Sequence, residues 1–200
     1  MKDFGYLMPL DLGAKGSCMI GGNLSTNAGG IKFIKYGSMH ANTIGLKAVT
    51  ANGTILDNMK TIRKDSTGYN LNHLFIGSEG TLVSLFKLWD SGFYEYIYIN
   101  FNIRLINHFY QGIITECAIL CHPTPLHRKV CLLATDNFDD VLKCLQTAKR
   151  ELSDSIGAIE YMDYDSAAFS LNYFKIENPF RDTNYKHYLI IEACGIYTEG

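Results

Sequence analysis

The stretch Ile20–Gly30 reads Ile-Gly-Gly-Asn-Leu-Ser-Thr-Asn-Ala-Gly-Gly, with four glycines in two pairs. Glycine has no Cβ, so it takes positive φ and lets another group touch the main chain. A run of such positions is expected to aim backbone N–H groups at one acceptor-rich ligand, with Asn23, Thr26 and Asn27 adding side-chain hydrogen bonds. A glycine-rich surface loop without a ligand is the alternative that composition leaves open. Spacing argues against two familiar sites. The stretch is not Gly-x-Gly-x-x-Gly, and Gly-x-x-x-x-Gly-Lys-Ser/Thr occurs nowhere, so an ordinary dinucleotide fold or phosphate loop fits poorly.

The 200 residues suffice for one ordinary domain or parts of two. Hydrophobic content of 47% and charged content of 19% are globular values. A net charge of −2 gives no electrostatic case for nucleic acid. The six cysteines, Cys18, Cys117, Cys121, Cys131, Cys144 and Cys194, lack a framework spacing and read as reduced intracellular thiols, mostly buried. Met1-Lys-Asp-Phe opens no signal or transit peptide. Membrane insertion is not expected, because Lys87, Asp90, Glu95 and Arg104 interrupt the most apolar run.

Gly37–Leu56 reads as strand, turn, strand, with Asn52-Gly53 as the hairpin signal. Asn70–Ile76 reads as a short helix or turn leading into a second glycine motif, Gly77–Gly80. Gly112–Cys121 is a strand candidate that His122-Pro-Thr-Pro125 breaks. Val130–Ala134, Ile156–Met162 and His187–Cys194 are further strands, and Tyr164–Asn172 a helix. Phe138, Val141, Leu142, Leu145, Ala148 and Leu152 recur at helical spacing and predict an amphipathic helix over Asp136–Leu152. The β-α-β-α-β order after residue 122 suggests an incomplete α+β unit, with the boundary at 122–128.

The run Pro9-Leu-Asp-Leu-Gly-Ala-Lys-Gly-Ser-Cys18 leads straight into Ile20–Gly30. Tyr36-Gly37-Ser38, Gly45-Leu46, Ala51-Asn52-Gly53-Thr54, Arg63-Lys64-Asp65-Ser66-Thr67-Gly68-Tyr69 and Ile76-Gly77-Ser78-Glu79-Gly80-Thr81-Leu82 follow. In that order these blocks resemble the FAD-binding half of the D-2-hydroxyglutarate dehydrogenases, vanillyl-alcohol-oxidase-like flavoproteins. The resemblance covers nearly all of the chain except Val83–Gln111. It implies an α+β fold, with residues 1–121 as the C-terminal part of a PCMH-type FAD-binding domain and 122–200 as an incomplete substrate or cap domain. It implies FAD as cofactor, held by two strips. One is Gly13, Ala14, Lys15, Gly16, Ser17, Cys18, Met19, Gly22, Asn23, Thr26, Asn27, Ala28 and Gly29. The other is Glu79, Gly80, Thr81, Leu82, Gly112, Ile113 and Ile114. Flavin and pyrophosphate present many acceptors, which glycine-rich backbone meets at close range. Lys15 is either a charge near flavin or phosphate, or a solvated surface lysine.

The resemblance further implies transfer of hydride from C2 of a small D-2-hydroxy acid to flavin, giving 2-oxoglutarate from 2-hydroxyglutarate, and an electron acceptor as partner. A related D-lactate dehydrogenase is the alternative enzyme, and a non-catalytic truncated product with weak FAD binding is the alternative of another class. The family's first phosphate loop, and its zinc and substrate residues, are expected outside this chain, so no catalytic residue or metal ligand is assigned on it. The mitochondrial matrix is implied by resemblance only. His40, His73, His108, His122, His127 and His187 show no zinc spacing, and Cys117, Cys121 and His122 read as buried thiols and a neighbouring ring rather than a metal site.

Where the family pattern runs Glu-Gly-Thr-Leu-Gly-Ile-Ile-Thr unbroken, this chain has Glu79–Leu82, then Val83–Gln111, then Gly112–Thr115. About a third of the intervening segment is aromatic, which sets it apart in composition. Valine codons begin GT and glutamine can be CAG, the two ends of a typical intron, and the segment's residues are those that AT-rich DNA encodes. The segment is therefore read as an in-frame retained intron or a gene-model error of that kind. A genuine inserted loop with a strand near Tyr94–Phe101 is the rival reading.

Overall fold

The computed structural model describes residues 2–50, 53–79, 84–85, 96–98, 112–181 and 183–195. They fall into two compact units, Met1–Thr124 and Pro125–Gly200, and the fold is α+β.

In the first unit, Tyr6–Leu7 (β1) is followed by an exposed loop and three short helices: Ile20–Ser25 (α1), Phe33–Tyr36 (α2) and Met39–Asn42 (α3). Thr43–Thr50 (β2) and Ile55–Asn58 (β3) form an antiparallel hairpin. Its turn closes through Gly53 N–H donating to Thr50 O at 2.9 Å, with Gly53 at φ +82. Asn52, the first half of the expected hairpin signal, lies outside the described residues. Asn72–Phe75 (α4) precedes two short strands, Ser84–Leu85 (β4) and Tyr96–Tyr98 (β5). Gly112–Leu120 (β6) pairs antiparallel with β2 on one edge. On its other edge it pairs with β4 in parallel and with β5 antiparallel. His122–Pro123 (β7) returns to pair with β1.

Two expectations need correction here. Ile20–Gly30 is not an open loop throughout, because Ile20–Ser25 is helical. Ile20 and Leu24, one turn apart, are both buried and seat the helix on the sheet, which outweighs the cost of Gly21 and Gly22 inside it. Gly37–Asn42 is likewise not strand. Met39–Asn42 takes one helical turn, with Met39 fully buried, before β2 begins at Thr43. Leu24, Met39, Leu46, Ile114 and Ile119 are the large apolar side chains of this core. Burying each contributes about 1.5–3 kcal/mol relative to exposure.

In the second unit, His127–Thr135 (β8), Ile156–Asp163 (β9) and His187–Gly195 (β10) form an antiparallel sheet in the order β8-β10-β9. Phe138–Leu152 (α5) packs Val141 and Ala148 on Leu189 and Ile191, with Leu133, Cys144, Leu152 and Ile159 around them. Asn137 caps α5, its Oδ1 accepting from Asp139 N–H at 3.0 Å. Asp139 and Asp140 in the first turn and Lys149 and Arg150 in the last complement the helix dipole. Tyr164–Phe174 (α6) is capped by Asp163, whose Oδ1 accepts from Ser166 N–H at 2.8 Å. Among the described residues no helix is long and apolar enough to cross a membrane.

Candidate cofactor site

The loop Gly13–Met19 is exposed at every residue and leads into α1. It is folded on itself: Ser17 and Cys18 N–H groups donate to Ala14 O at 2.9 and 2.8 Å, and Lys15 N–H to Leu12 O at 3.1 Å. A parallel bridge from Asp11 to Gly30, with Ile31 N–H donating to Asp11 O at 3.1 Å, ties its base to the end of the glycine stretch.

Glycines in this region do two different jobs. A Cβ on Gly29 would meet Phe33 Cδ2 at 2.6 Å, and Gly30 combines φ +70 with a Cβ position that collides with the Asp11 carbonyl. These two are required by the chain's own packing. A Cβ on Gly13, Gly16 or Gly22 would meet nothing within 4 Å, and none of the three has positive φ. Internal structure gives no reason for their bareness.

The backbone donors are fewer than the sequence suggests. Asn23, Thr26, Asn27 and Ala28 spend their N–H groups on Met19, Gly22, Leu24 and Asn23 carbonyls, at 2.8–3.1 Å. Thr26 Oγ1 also turns inward, donating to Gly22 O at 2.9 Å. α1 begins at Met19 without a side-chain cap.

The second strip docks on the end of the first. Gly77 N–H donates to Leu24 O and Glu79 N–H to Ser25 O, both at 2.9 Å. Gly77 at φ +77 and Glu79 at φ +46 bend the strip around the helix end, and both are exposed. Gly80, Thr81 and Leu82 lie outside the described residues. Of the remaining strip, Ile113 is 38% exposed, whereas Ile114 is 1% exposed, packs in the core with Ile20 and Leu24, and is flanked by Ala48 of β2 and Leu85 of β4. Gly112 begins β6 opposite Thr50.

Lys15 Nζ lies 3.2 Å from Asp11 Oδ1 with its side chain 74% exposed, a pair worth little in water. Lys32, absent from the sequence-based set, is 8% exposed, and its ammonium is 3.9 Å from Asp11 Oδ2. No spacing rule marks it, because its burial comes from the bridge that folds Asp11 over Gly30. His40 and Ile76 also escaped the sequence reading. They join Asn27 to the second strip through contacts between residues far apart in sequence.

Beside α3, Asn42 is buried and its Nδ2 donates to Tyr36 O at 2.7 Å and Ser38 O at 2.8 Å. Its Oδ1 is thereby left to accept from His122 Nε2 at 3.0 Å. Desolvation, then the Arg63 and Lys35 charges, hold His122 below the ordinary imidazole range. Cys117, buried in the core of the sheet, is pushed up to about 12 and stays a thiol. Among the described residues there is no cluster of three metal-ligating side chains.

Residues 1–58 match the family described as FAD binding domain. The probable mitochondrial D-2-hydroxyglutarate dehydrogenase of Oryza sativa subsp. indica is 41% identical over 196 residues, which is 98% of this chain and 30% of that protein. The mitochondrial D-2-hydroxyglutarate dehydrogenase of Arabidopsis thaliana is 41% identical over 192 residues, 96% of this chain and 29% of that one. The chain is a part-length relative of the D-2-hydroxyglutarate dehydrogenases. Its fold agrees with a solved alkyldihydroxyacetonephosphate synthase at TM-score 0.63 and 21% identity, covering 97% of this chain and 33% of that one. In this relative of the D-2-hydroxyglutarate dehydrogenases, the match to the FAD binding domain lies within the first unit.

Proposed function

We propose that the first unit holds part of FAD between the Gly13–Met19 loop, the α1 end and the Gly77–Glu79 strip. We propose further that the protein it belongs to oxidises D-2-hydroxyglutarate to 2-oxoglutarate in mitochondria. The observation that carries the cofactor reading is the docking of Gly77 and Glu79 onto Leu24 and Ser25 beside glycines that internal packing leaves unexplained. The match of residues 1–58 to an FAD binding domain supports it independently.

The residues present fit the group. Gly13, Gly16 and Gly22 provide bare backbone in open space, against which a flat ring or a pyrophosphate can lie in contact. Lys32 carries a buried stem and a cation only loosely held by Asp11, suited to an anionic oxygen. Met19 and Ile113 offer exposed apolar surface. Bound flavin supplies a two-electron acceptor for the C2 hydride of a D-2-hydroxy acid. This chain's part is to bind and orient it. The hydroxy acid, the electron acceptor and the mitochondrial address come from the names of the relatives.

A titration with FAD, followed by flavin absorbance and fluorescence, tests the site. The chain is expected to bind, and Gly16→Val to bind at least about tenfold more weakly with its thermal midpoint unchanged, since a surface side chain in open space changes stability by no more than about 0.5 kcal/mol. A chain with no flavin bands at saturating FAD, or equal affinity in Gly16→Val, refutes the assignment.

A further inference from the structure

We propose that His40 is a positioning residue that holds the two glycine-bearing strips in register. The idea that this register serves FAD rests on the function proposed above, while the lock itself rests on the contacts of the ring.

His40 lies in α3, outside both strips, and touches each. Its backbone N–H donates to Asn27 Oδ1 at 2.9 Å. Asn27 Oδ1 is thus committed, so Asn27 Nδ2, at 3.4 Å from His40 Nδ1, is the donor of that pair. His40 Nδ1 must then accept, which leaves the ring proton on Nε2. Nε2 is 2.9 Å from Ile76 O, an acceptor with no proton to give. The assignments agree with one another, and they fix the roles of the two nitrogens: Nδ1 accepts and Nε2–H donates.

The peptide that His40 grips is the hinge of the second strip. Ile76 O is held by His40, and the N–H on the other side of the same peptide, that of Gly77, is held by Leu24 O at 2.9 Å. With both ends pinned, the Ile76–Gly77 plane cannot rotate, and the direction in which Gly77 and Glu79 leave the helix end is set. Asn27 itself sits at φ +50, a left-handed conformation that asparagine adopts more readily than other non-glycine residues. Asn27 and Gly77 are themselves close: a Cβ on Gly77 would stand 3.2 Å from Asn27 Cβ. His73 stacks on the His40 ring with centroids 4.5 Å apart, and limits its tilt from the other side. The ring therefore adds a side-chain tether between Asn27 and Ile76 to the two backbone bonds that dock Gly77 and Glu79 on Leu24 and Ser25.

The test uses the whole chain, His40→Leu and His40→Gln. Glutamine places an amide N–H near the position of Nε2 and keeps the bond to Ile76 O; leucine keeps bulk and loses it. Imidazole nitrogen shifts of the unmodified chain should place the proton on Nε2, with Nδ1 accepting. Amide exchange at Gly77 and Glu79 should quicken on the order of tenfold in His40→Leu and stay near the original in His40→Gln, with Leu46 and Ala48 on β2 unchanged in both. FAD affinity should fall in His40→Leu and recover in His40→Gln. An Nδ1–H tautomer overturns the proposal. So does unchanged exchange at Gly77 and Glu79 in His40→Leu, or loss of protection at β2 to the same degree, which marks a merely structural residue. A chain that takes up no FAD refutes the cofactor assignment and leaves the exchange measurement to decide the lock.

Discussion

At the scale of single residues, hydrogen-bond partners fix which ring nitrogen of a histidine donates, and His122, like His40, shows it. Asn42 Oδ1 accepts from its Nε2–H, while desolvation first, and then the Arg63 and Lys35 charges, oppose a positive ring, so the imidazole sits below its ordinary value of 6.5. In the unfolded chain the ring has no such neighbours and takes up its proton at higher pH. The contribution of His122 to stability is thus complete above about 6.5 and is lost as pH falls from there through the lower folded value. Urea unfolding of the chain and of His122→Gln at pH 7.5 and 5.5 reads this directly. The chain should lose stability relative to the variant on acidification; a constant difference would show that the ring does not titrate differently on folding.

At the scale of elements, capping and burial decide where helices start, more than propensity does. Helix α5 has its Asn137 cap, its acidic first turn and its basic last turn, all legible as letters, and it forms where the period predicts. Asn137→Ala should cost about 1 kcal/mol, seen as a lower urea midpoint with unchanged slope. No shift would mean that packing of Val141 and Ala148 alone holds the helix end. Helix α1 is the opposite case. Its glycines argue against a helix, it has no side-chain cap, and it exists because Ile20 and Leu24 are buried on β6 side chains some ninety residues away in sequence. Across the sheet, Lys47 joins Asp57 at 3.1 Å and Glu116 at 3.5 Å, linking the three strands β3, β2 and β6 in a surface cluster. Such a cluster is screened by salt and adds register rather than much stability.

At the scale of the whole molecule, Val83–Gln111 is the unusual feature. Only β4 and β5 of it are described, and both run along the free edge of β6. The rival reading expected a strand near Tyr94–Phe101, and Tyr96–Tyr98 is one. This pairing does not choose between the readings, since any tethered segment rich in strand formers will pair with a bare sheet edge. We propose that the segment is dispensable. Transcripts joining Leu82 directly to Gly112 are expected, and the chain made from them should bind FAD at least as tightly and aggregate less, because a segment rich in aromatic strand formers is removed. Exclusive recovery of the longer transcript, or weaker FAD binding by the joined chain, would rule this out.

The sequence by itself determined the α+β class, the strands and helices of the second unit to within a few residues, and the kinship carried by the ordered glycine blocks. Those features are written in local period, in turn chemistry and in short contiguous motifs. Only the tertiary structure decided which glycines are bare for internal reasons and which stand open, because that depends on what lies opposite each Cβ: Phe33 and the Asp11 carbonyl for Gly29 and Gly30, empty space for Gly13, Gly16 and Gly22. It also decided that Ile20–Ser25 is helical, that Ile114 faces inward, that Lys32 is buried, and that His40 bridges Asn27 and Ile76. Each of these follows from contacts between residues distant along the chain, and no local pattern of letters encodes a partner brought near by folding.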